Sequence, residues 1–134
     1  MALPGRGDYA LPMIATHDAY RSGARKRRAE QRERDAAAAE TAREVAGRLA
    51  FHLAQTYPVS RVVLIGSLAR GEFREGSDID LVVEGLPVDV LFRAGADIEG
   101  MAAGLRVDLI PLESARPLLR TVVAEDGIEL FRRG

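Results

Sequence analysis

The sequence predicts an α/β (α+β) domain: a small mixed β-sheet with helices packed chiefly on one side, preceded by a helical extension. Three observations lead to this fold class. The chain has 134 residues, enough for one domain with one buried core. Short runs of β-branched residues alternate with longer stretches whose apolar residues recur every three or four positions. The resulting order of helix, two strands, helix, strand and helix is typical of a layered architecture.

The first 35 residues are predicted to lie outside this domain, which we assign to residues 36–134. Residues 1–15 include two prolines and two glycines and are expected to form an irregular arm. From residue 16 to residue 35 the chain is very polar, with seven basic and four acidic residues, and a polar helical extension is expected there. For its basic part, residues 21–34, we favour a solvated helix, with contact to a second chain or to nucleic acid as the alternatives.

A long helix is predicted to begin near residue 17 or 24 and to end at residue 56. One face carries apolar residues at spacings of three and four, namely Ala42, Val45, Leu49 and Leu53. The alanine run at residues 36–39 favours the same state. Pro58 is expected to end the helix, because a proline disfavours helical backbone in the residue before it.

Beyond Pro58 we expect alternating strands and helices. The strands are predicted at residues 59–65, 77–83, 105–111 and 128–132. The helices are predicted at residues 87–103 and 113–125, with a short helical turn at residues 67–71. Gly66 ends the first strand, and a turn at Gly76 precedes the second.

The composition excludes several classes of function. The chain has no cysteine, so disulfides, zinc–thiolate sites and thiol catalysis are excluded. Its net charge is -1 and aromatic residues make up 5%, which argues against a polyanion-binding surface and a base-stacking platform. No apolar run approaches the roughly 20 residues of a membrane span, and the start lacks the pattern of a secretory signal. We therefore expect a cytoplasmic protein.

Three aspartates fall inside predicted strands, where aspartate is uncommon. Asp78 and Asp80 are two positions apart, which places both on one face of the second strand, roughly 6.6 Å apart along the chain. Asp108 lies between apolar residues of the third strand. If these strands are neighbours, the carboxylates repel one another unless a cation or protons compensate. A hard divalent cation is the natural partner of such oxygens, and magnesium is the usual one beside phosphate.

The alternative is that each aspartate ends a strand and faces water. For one aspartate taken alone, that interpretation is the better one. The combination of three such residues with a nearby glycine turn favours a site instead.

This glycine turn, which begins at Gly66, is the second feature that indicates a chemical function. Gly66 and Ser67 follow the first strand and open a short helical turn that includes Arg70. Free backbone N–H groups at such a turn favour phosphate, and the serine hydroxyl and the guanidinium can add to it. Alone, this signal is weak, since many strand-to-helix junctions share it. The turn has neither the Walker pattern nor the dinucleotide-binding glycine pattern.

Together the two elements resemble a known family. The segments Gly66-Ser67, Ser77-Asp78-Ile79-Asp80-Leu81 and Val107-Asp108-Leu109 look like the motifs of the nucleotidyltransferase superfamily of DNA polymerase β type. The resemblance is closest to its minimal nucleotidyltransferase (MNT) branch and covers about residues 40–132. Residues 1–35 lie outside it. The resemblance implies a polymerase β-like nucleotidyltransferase core.

The resemblance also implies an activity. Members of the family transfer a nucleoside monophosphate, here expected to be AMP from ATP, to a hydroxyl acceptor and release pyrophosphate. By resemblance, Asp78, Asp80 and Asp108 would be the ligands of catalytic Mg²⁺, for which two ions are expected. Asp108 would also be a candidate to receive the acceptor's proton.

Four further residues are implied in nucleotide binding. By resemblance, Gly66 and Ser67 would bind the triphosphate. Arg70 and Ser77 are second candidates for phosphate contact or orientation.

The sequence does not identify the molecule that would accept the AMP group. The chain has little room for a domain that would hold an acceptor, and in the MNT branch the partner is commonly a HEPN-type helical toxin that the MNT antitoxin modifies with AMP. One alternative is an aminoglycoside-type, small-molecule nucleotidyltransferase completed by a homo-oligomer. Another is a non-catalytic, nucleotide-binding antitoxin. Nucleic acid is a less favoured partner, and no membrane is expected.

Overall fold

The computed structural model describes the backbone of residues 6–134 and the side chains of residues 17–134. The described residues up to Arg34 form one unit, and residues from Asp35 to Gly134 form a second. The first helix, α1, comprises Arg6–Thr56. In the first unit, the described side chains are mostly exposed, and Arg34 donates a hydrogen bond of 2.7 Å to Gln31.

Helix α1 begins earlier than the sequence predicts. The expected irregular arm covered residues 1–15, whereas residues 6–15 are helical and residues 1–5 lie outside the described part of the chain. This segment contains good helix formers, such as Ala10, Leu11 and Met13, whose propensities add along the sequence. Pro12 removes one N–H donor without ending the helix.

The second unit is built on a four-stranded mixed sheet in the order β3-β2-β1-β4. The strands are β1 (Arg61–Ile65), β2 (Ile79–Glu84), β3 (Val107–Pro111) and β4 (Ile128–Arg132). Strand β1 pairs antiparallel with both β2 and β4, whereas β2 and β3 are parallel. The mixed sheet confirms the predicted fold class.

Three more α-helices connect the strands. They are α2 (Gly66–Arg70), α3 (Val88–Met101) and α4 (Pro117–Asp126), and a 3-10 turn at Leu112–Ser114 precedes α4. The sequence predicts one helix over residues 113–125, but α4 begins only at Pro117. The proline suits the first helical position, and it keeps Arg116 extended. Among the helices of residues 6–134, none has the length and hydropathy that a membrane crossing requires.

The larger core lies on one face of the sheet. The predicted apolar face of α1 is fully buried there, together with Ala94 and Ile98 of α3 and alternate residues of β1 and β2. On the opposite face only a smaller cluster forms, in which Val123 of α4 packs against Val63 and Val82. Helices therefore pack chiefly on one side of the sheet, as predicted.

A hydrogen-bonded group joins α1 to α3. The hydroxyl of Tyr57 donates to Asp97 at 2.5 Å, and His52 lies 3.2 Å from the same carboxylate. The hydrogen bond from Tyr57, followed by that from His52, lowers the pKa of Asp97 below its ordinary value. The bond to Asp97 in turn raises the pKa of Tyr57. These contacts link the C-terminal end of α1 to α3.

Candidate functional site

The parallel pairing of β2 and β3 brings two of the predicted aspartates together. Asp80 and Asp108 are direct partners in the register of these strands. Side chains at partner positions point to the same face of a sheet, so the two carboxyl groups are neighbours. This face is the one opposite the larger core, because Ile79 and Leu81 point into that core.

The surroundings of Asp80 disfavour a charge on it. Its pKa is raised from 3.8 to about 6, first by burial and then by the negative charge of Asp108 and the hydrogen bond shared with it. Asp78 adds further repulsion, whereas the cation of Arg70 partly offsets these effects. The carboxylates therefore form a site that is short of positive charge.

Asp78 lies just ahead of β2 and not within it, which corrects the predicted start of the strand at residue 77. A tight turn holds this stretch: the backbone N–H of Ser77 donates to the Arg74 carbonyl at 2.9 Å, and the Ser77 hydroxyl accepts from the Arg74 N–H at 3.1 Å. Strand pairing therefore begins only at Ile79. Asp78 still acts on Asp80 through its charge.

The side chain of Asp78 pairs with a residue that the motif analysis did not single out. Nε of Arg106 lies 3.0 Å from Oδ1 of Asp78. That oxygen is buried, and no donor is aligned to give it a hydrogen bond. The only sequence signal for Arg106 is its position two residues before Asp108, a spacing that places residues on one side of an extended chain.

Gly66 is required by the close approach of Asp80. Strand β1 ends beside Asp80, since Ile65 is the partner of Asp80 in the antiparallel register. Gly66 adopts φ +81°, and a side chain there would run into the Asp80 carboxylate. Glycine alone meets both demands without strain. The turn and the carboxylates are thus in contact, as the motif spacing suggests.

The other predicted nucleotide-binding residues are near this contact. Ser67 is half-buried in the first turn of α2, and no side chain caps that end of the helix. Arg70 is close enough to lower the pKa of Asp80, although its Nε also lies 3.1 Å from Glu72. Ser77 has its hydroxyl engaged in the turn before β2. The structure thus gives Ser77 a positioning contact within the turn.

The residues suit a divalent cation in their chemistry. Carboxylate oxygens are the ligands that magnesium prefers, and the buried Oδ1 of Asp78 accepts no hydrogen bond. Among the described residues, however, no three or more acidic or histidine side chains are gathered as they would be around an ion. Of the three carboxylates, that of Asp78 is the one held by an arginine, Arg106.

Comparison with known proteins supplies independent findings. A family model described as the nucleotidyltransferase domain matches residues 47–130. This range contains the aspartates and the glycine turn. Among curated protein sequences, none matches the chain significantly.

Solved structures with the same fold include a protein provisionally described as a minimal nucleotidyltransferase, 34% identical, with a TM-score of 0.56 over 67% of this chain and 93% of that chain. A chain of a toxin–antitoxin complex with AMP-PNP is 25% identical, with a TM-score of 0.57 over 65% of this chain and 73% of that chain. A chain from a complex of a tri-AMPylated Shewanella oneidensis HEPN toxin with an MNT antitoxin is 22% identical, with a TM-score of 0.53 over 68% and 72%. This last likeness shows the fold alone.

Proposed function

This chain belongs to the nucleotidyltransferase family, and on that premise we propose that it transfers AMP from ATP to a hydroxyl group of a partner protein. The observation that carries the proposal is the contact between the acidic pair and the glycine turn. Asp80 and Asp108 adjoin each other on neighbouring strands, and Gly66 packs against Asp80. A triphosphate bound at the turn would lie beside the carboxylates.

Asp78, Asp80 and Asp108 are the residues that would hold magnesium. The ion, when bound, would supply the positive charge that the triphosphate and the leaving pyrophosphate require. It would also relieve the repulsion that raises the pKa of Asp80. Gly66 and Ser67 would contact the triphosphate through backbone N–H groups, and Arg70 would add a cation.

The remaining step is a displacement at the α-phosphorus. The acceptor oxygen forms a bond to this phosphorus, and the bond from phosphorus to the oxygen that bridges to the β-phosphate breaks. Pyrophosphate leaves with that electron pair, and the hydroxyl proton passes to the carboxylate of Asp108. Asp108 suits this role because its side chain is exposed on the edge strand β3, where an acceptor can approach it.

For the acceptor we propose a HEPN-type helical toxin, with this chain as its antitoxin. The supporting comparison is the toxin–antitoxin complex with AMP-PNP, an ATP analogue, whose matched chain is 25% identical to this one. A small-molecule acceptor is the rival, and it would require no protein partner.

Label transfer tests the proposal directly. The protein, Mg²⁺ and a HEPN-type partner are incubated with ATP labelled at the α-phosphate and, separately, at the γ-phosphate. We expect only the α-label to appear on the partner. Asp80→Asn should reduce the transfer at least about 100-fold, a typical loss when a group that organises transition-state charge is removed. Asp89→Asn, which removes an exposed carboxylate from α3, is the matched control and should transfer normally.

Two results would contradict the proposal. Transfer to a small alcohol by the protein alone would favour the small-molecule enzyme. Equal transfer by wild type and Asp80→Asn would show that the carboxylates have no part in the reaction.

A further inference from the structure

Arg106 occupies a distinctive position among the cations of the second unit. It directly precedes β3, its Nε lies 3.0 Å from Oδ1 of Asp78, and its Nη2 lies 3.5 Å from the carbonyl oxygen of Gly76. It therefore touches both Asp78 and the turn that leads to it. The Arg106 side chain is 80% exposed and the Asp78 side chain 39% exposed, so the pair is open to solvent on one side, although Oδ1 itself is buried.

We propose that Arg106 is a displaceable counter-ion of Asp78: it holds this carboxylate away from the other two until a divalent cation takes it over. The contact does not have the geometry of a settled ion pair. The guanidinium lies within ion-pair distance of Oδ1 but does not align to donate a hydrogen bond to it. Oδ1 is therefore held only by an ion-pair contact, which a divalent cation can replace.

The arrangement of the carboxylates indicates that Arg106 and a divalent cation compete for Asp78. Asp80 and Asp108 are partners on neighbouring strands, yet the described residues contain no set of three acidic side chains gathered for an ion. In this proposal, binding an ion to all three carboxylates turns Asp78 and breaks its contact with the guanidinium. Cation binding and the Arg106–Asp78 contact then exclude each other.

The solvent exposure of the Arg106–Asp78 pair limits how much it can weaken cation binding. Exposed ion pairs contribute little, typically up to about 1 kcal/mol, which corresponds to about a five-fold change in an equilibrium constant. Arg106 should therefore weaken cation binding only moderately. Such a contact restrains Asp78 without preventing its release.

This inference rests on the proposed function, because it concerns the same carboxylates. Its test is Mn²⁺ binding to the full chain without nucleotide, measured by titration calorimetry. Arg106→Gln should bind Mn²⁺ about two- to five-fold more tightly than wild type. Arg43→Gln is the matched control: it removes the same charge from an exposed position of α1, leaves the contact with Asp78 in place and should change binding less.

A second measurement follows Arg106 itself. The NMR signal of its Nε–H group, identified by its loss in Arg106→Gln, should shift as Mg²⁺ saturates the wild-type protein. This readout depends on no catalysis and on no partner.

The outcomes separate the two proposals. Tighter binding by Arg106→Gln alone, with a shifting Nε–H signal, supports the counter-ion role. Equal tightening in both variants, weaker binding in Arg106→Gln or an unmoved signal overturns that role while leaving the proposed function intact. If no variant binds Mn²⁺ without nucleotide, there is no cation for Arg106 to oppose and the inference fails, while the label-transfer experiment still decides the proposed function.

Discussion

Replacing Asp80 by asparagine is expected to stabilise the metal-free protein at neutral pH. In the native state the pKa of Asp80 is about 6, whereas its ordinary value is 3.8. The folded protein therefore retains a proton that the unfolded chain releases, and its stability falls as the pH rises from about 4 to beyond 6. Asparagine has the same shape, carries no charge and can still donate a hydrogen bond to Asp108.

The magnitude follows from the raised pKa. A rise of about two pH units corresponds to at most about 3 kcal/mol. Because Asp80 is only partly buried, solvent screening reduces this to about 1–2 kcal/mol. We therefore expect Asp80→Asn to exceed wild type by about 1–2 kcal/mol in free energy of unfolding at pH 8, and to match it near pH 4.

Urea denaturation followed by circular dichroism, in the presence of EDTA, measures this difference between pH 4.5 and pH 8. Asp126→Asn removes a carboxylate at the end of α4 and should retain the wild-type decline in stability with pH. Adding Mg²⁺ at ten times its dissociation constant should stabilise wild type by about 1.4 kcal/mol and Asp80→Asn by less. The reasoning is refuted if Asp80→Asn is no more stable than wild type at pH 8, or if its advantage is the same at pH 4.5.

Three further predictions concern glycines and the contact between α1 and α3. Gly66→Ala should lower the free energy of unfolding by about 1–3 kcal/mol and weaken nucleotide binding, because its backbone is left-handed and its side chain would meet Asp80; urea denaturation and ATP titration measure the two effects, and unchanged values in both would contradict the explanation. Gly47→Ala, at an open helical position, should instead raise the free energy of unfolding by about 0.5–1 kcal/mol in the same denaturation experiment, and a decrease would count against it. Tyr57→Phe should raise the pKa of Asp97, since it removes the main hydrogen bond that favours the ionised carboxylate; carboxyl NMR titration would show this, and an unchanged pKa would assign the shift to another group.

Much of the architecture follows from local patterns in the sequence. The spacing of Ala42, Val45, Leu49 and Leu53 identifies the face of α1 that is fully buried. Strand β4 occupies the predicted residues, where three apolar residues among five directly follow Gly127. Such features depend on residues close in sequence, so periodicity and turn chemistry suffice to predict them.

The features that were not predicted depend on contacts between distant residues or on single hydrogen bonds. The start of β2 is set by the bonds between Arg74 and Ser77, which no periodicity indicates. The contact of Arg106 with Asp78 joins residues 28 positions apart, and it depends on how the chain enters β2 and β3. The sequence could identify the acidic residues and the glycine turn, but not which cation stands beside which carboxylate.

The partner positions of Asp80 and Asp108 have a consequence for how the chain selects its fold. Shifting β2 by one residue against its neighbours would move a carboxylate into the apolar layer beneath α3 and expel Ile79 or Leu81 to the surface. The burial of an unpaired charge would penalise that misaligned sheet heavily. The aspartates that we propose as catalytic residues therefore also favour the native register of the strands during folding. Neutralising them should make a shifted register more accessible, even where the substitution raises the stability of the native state.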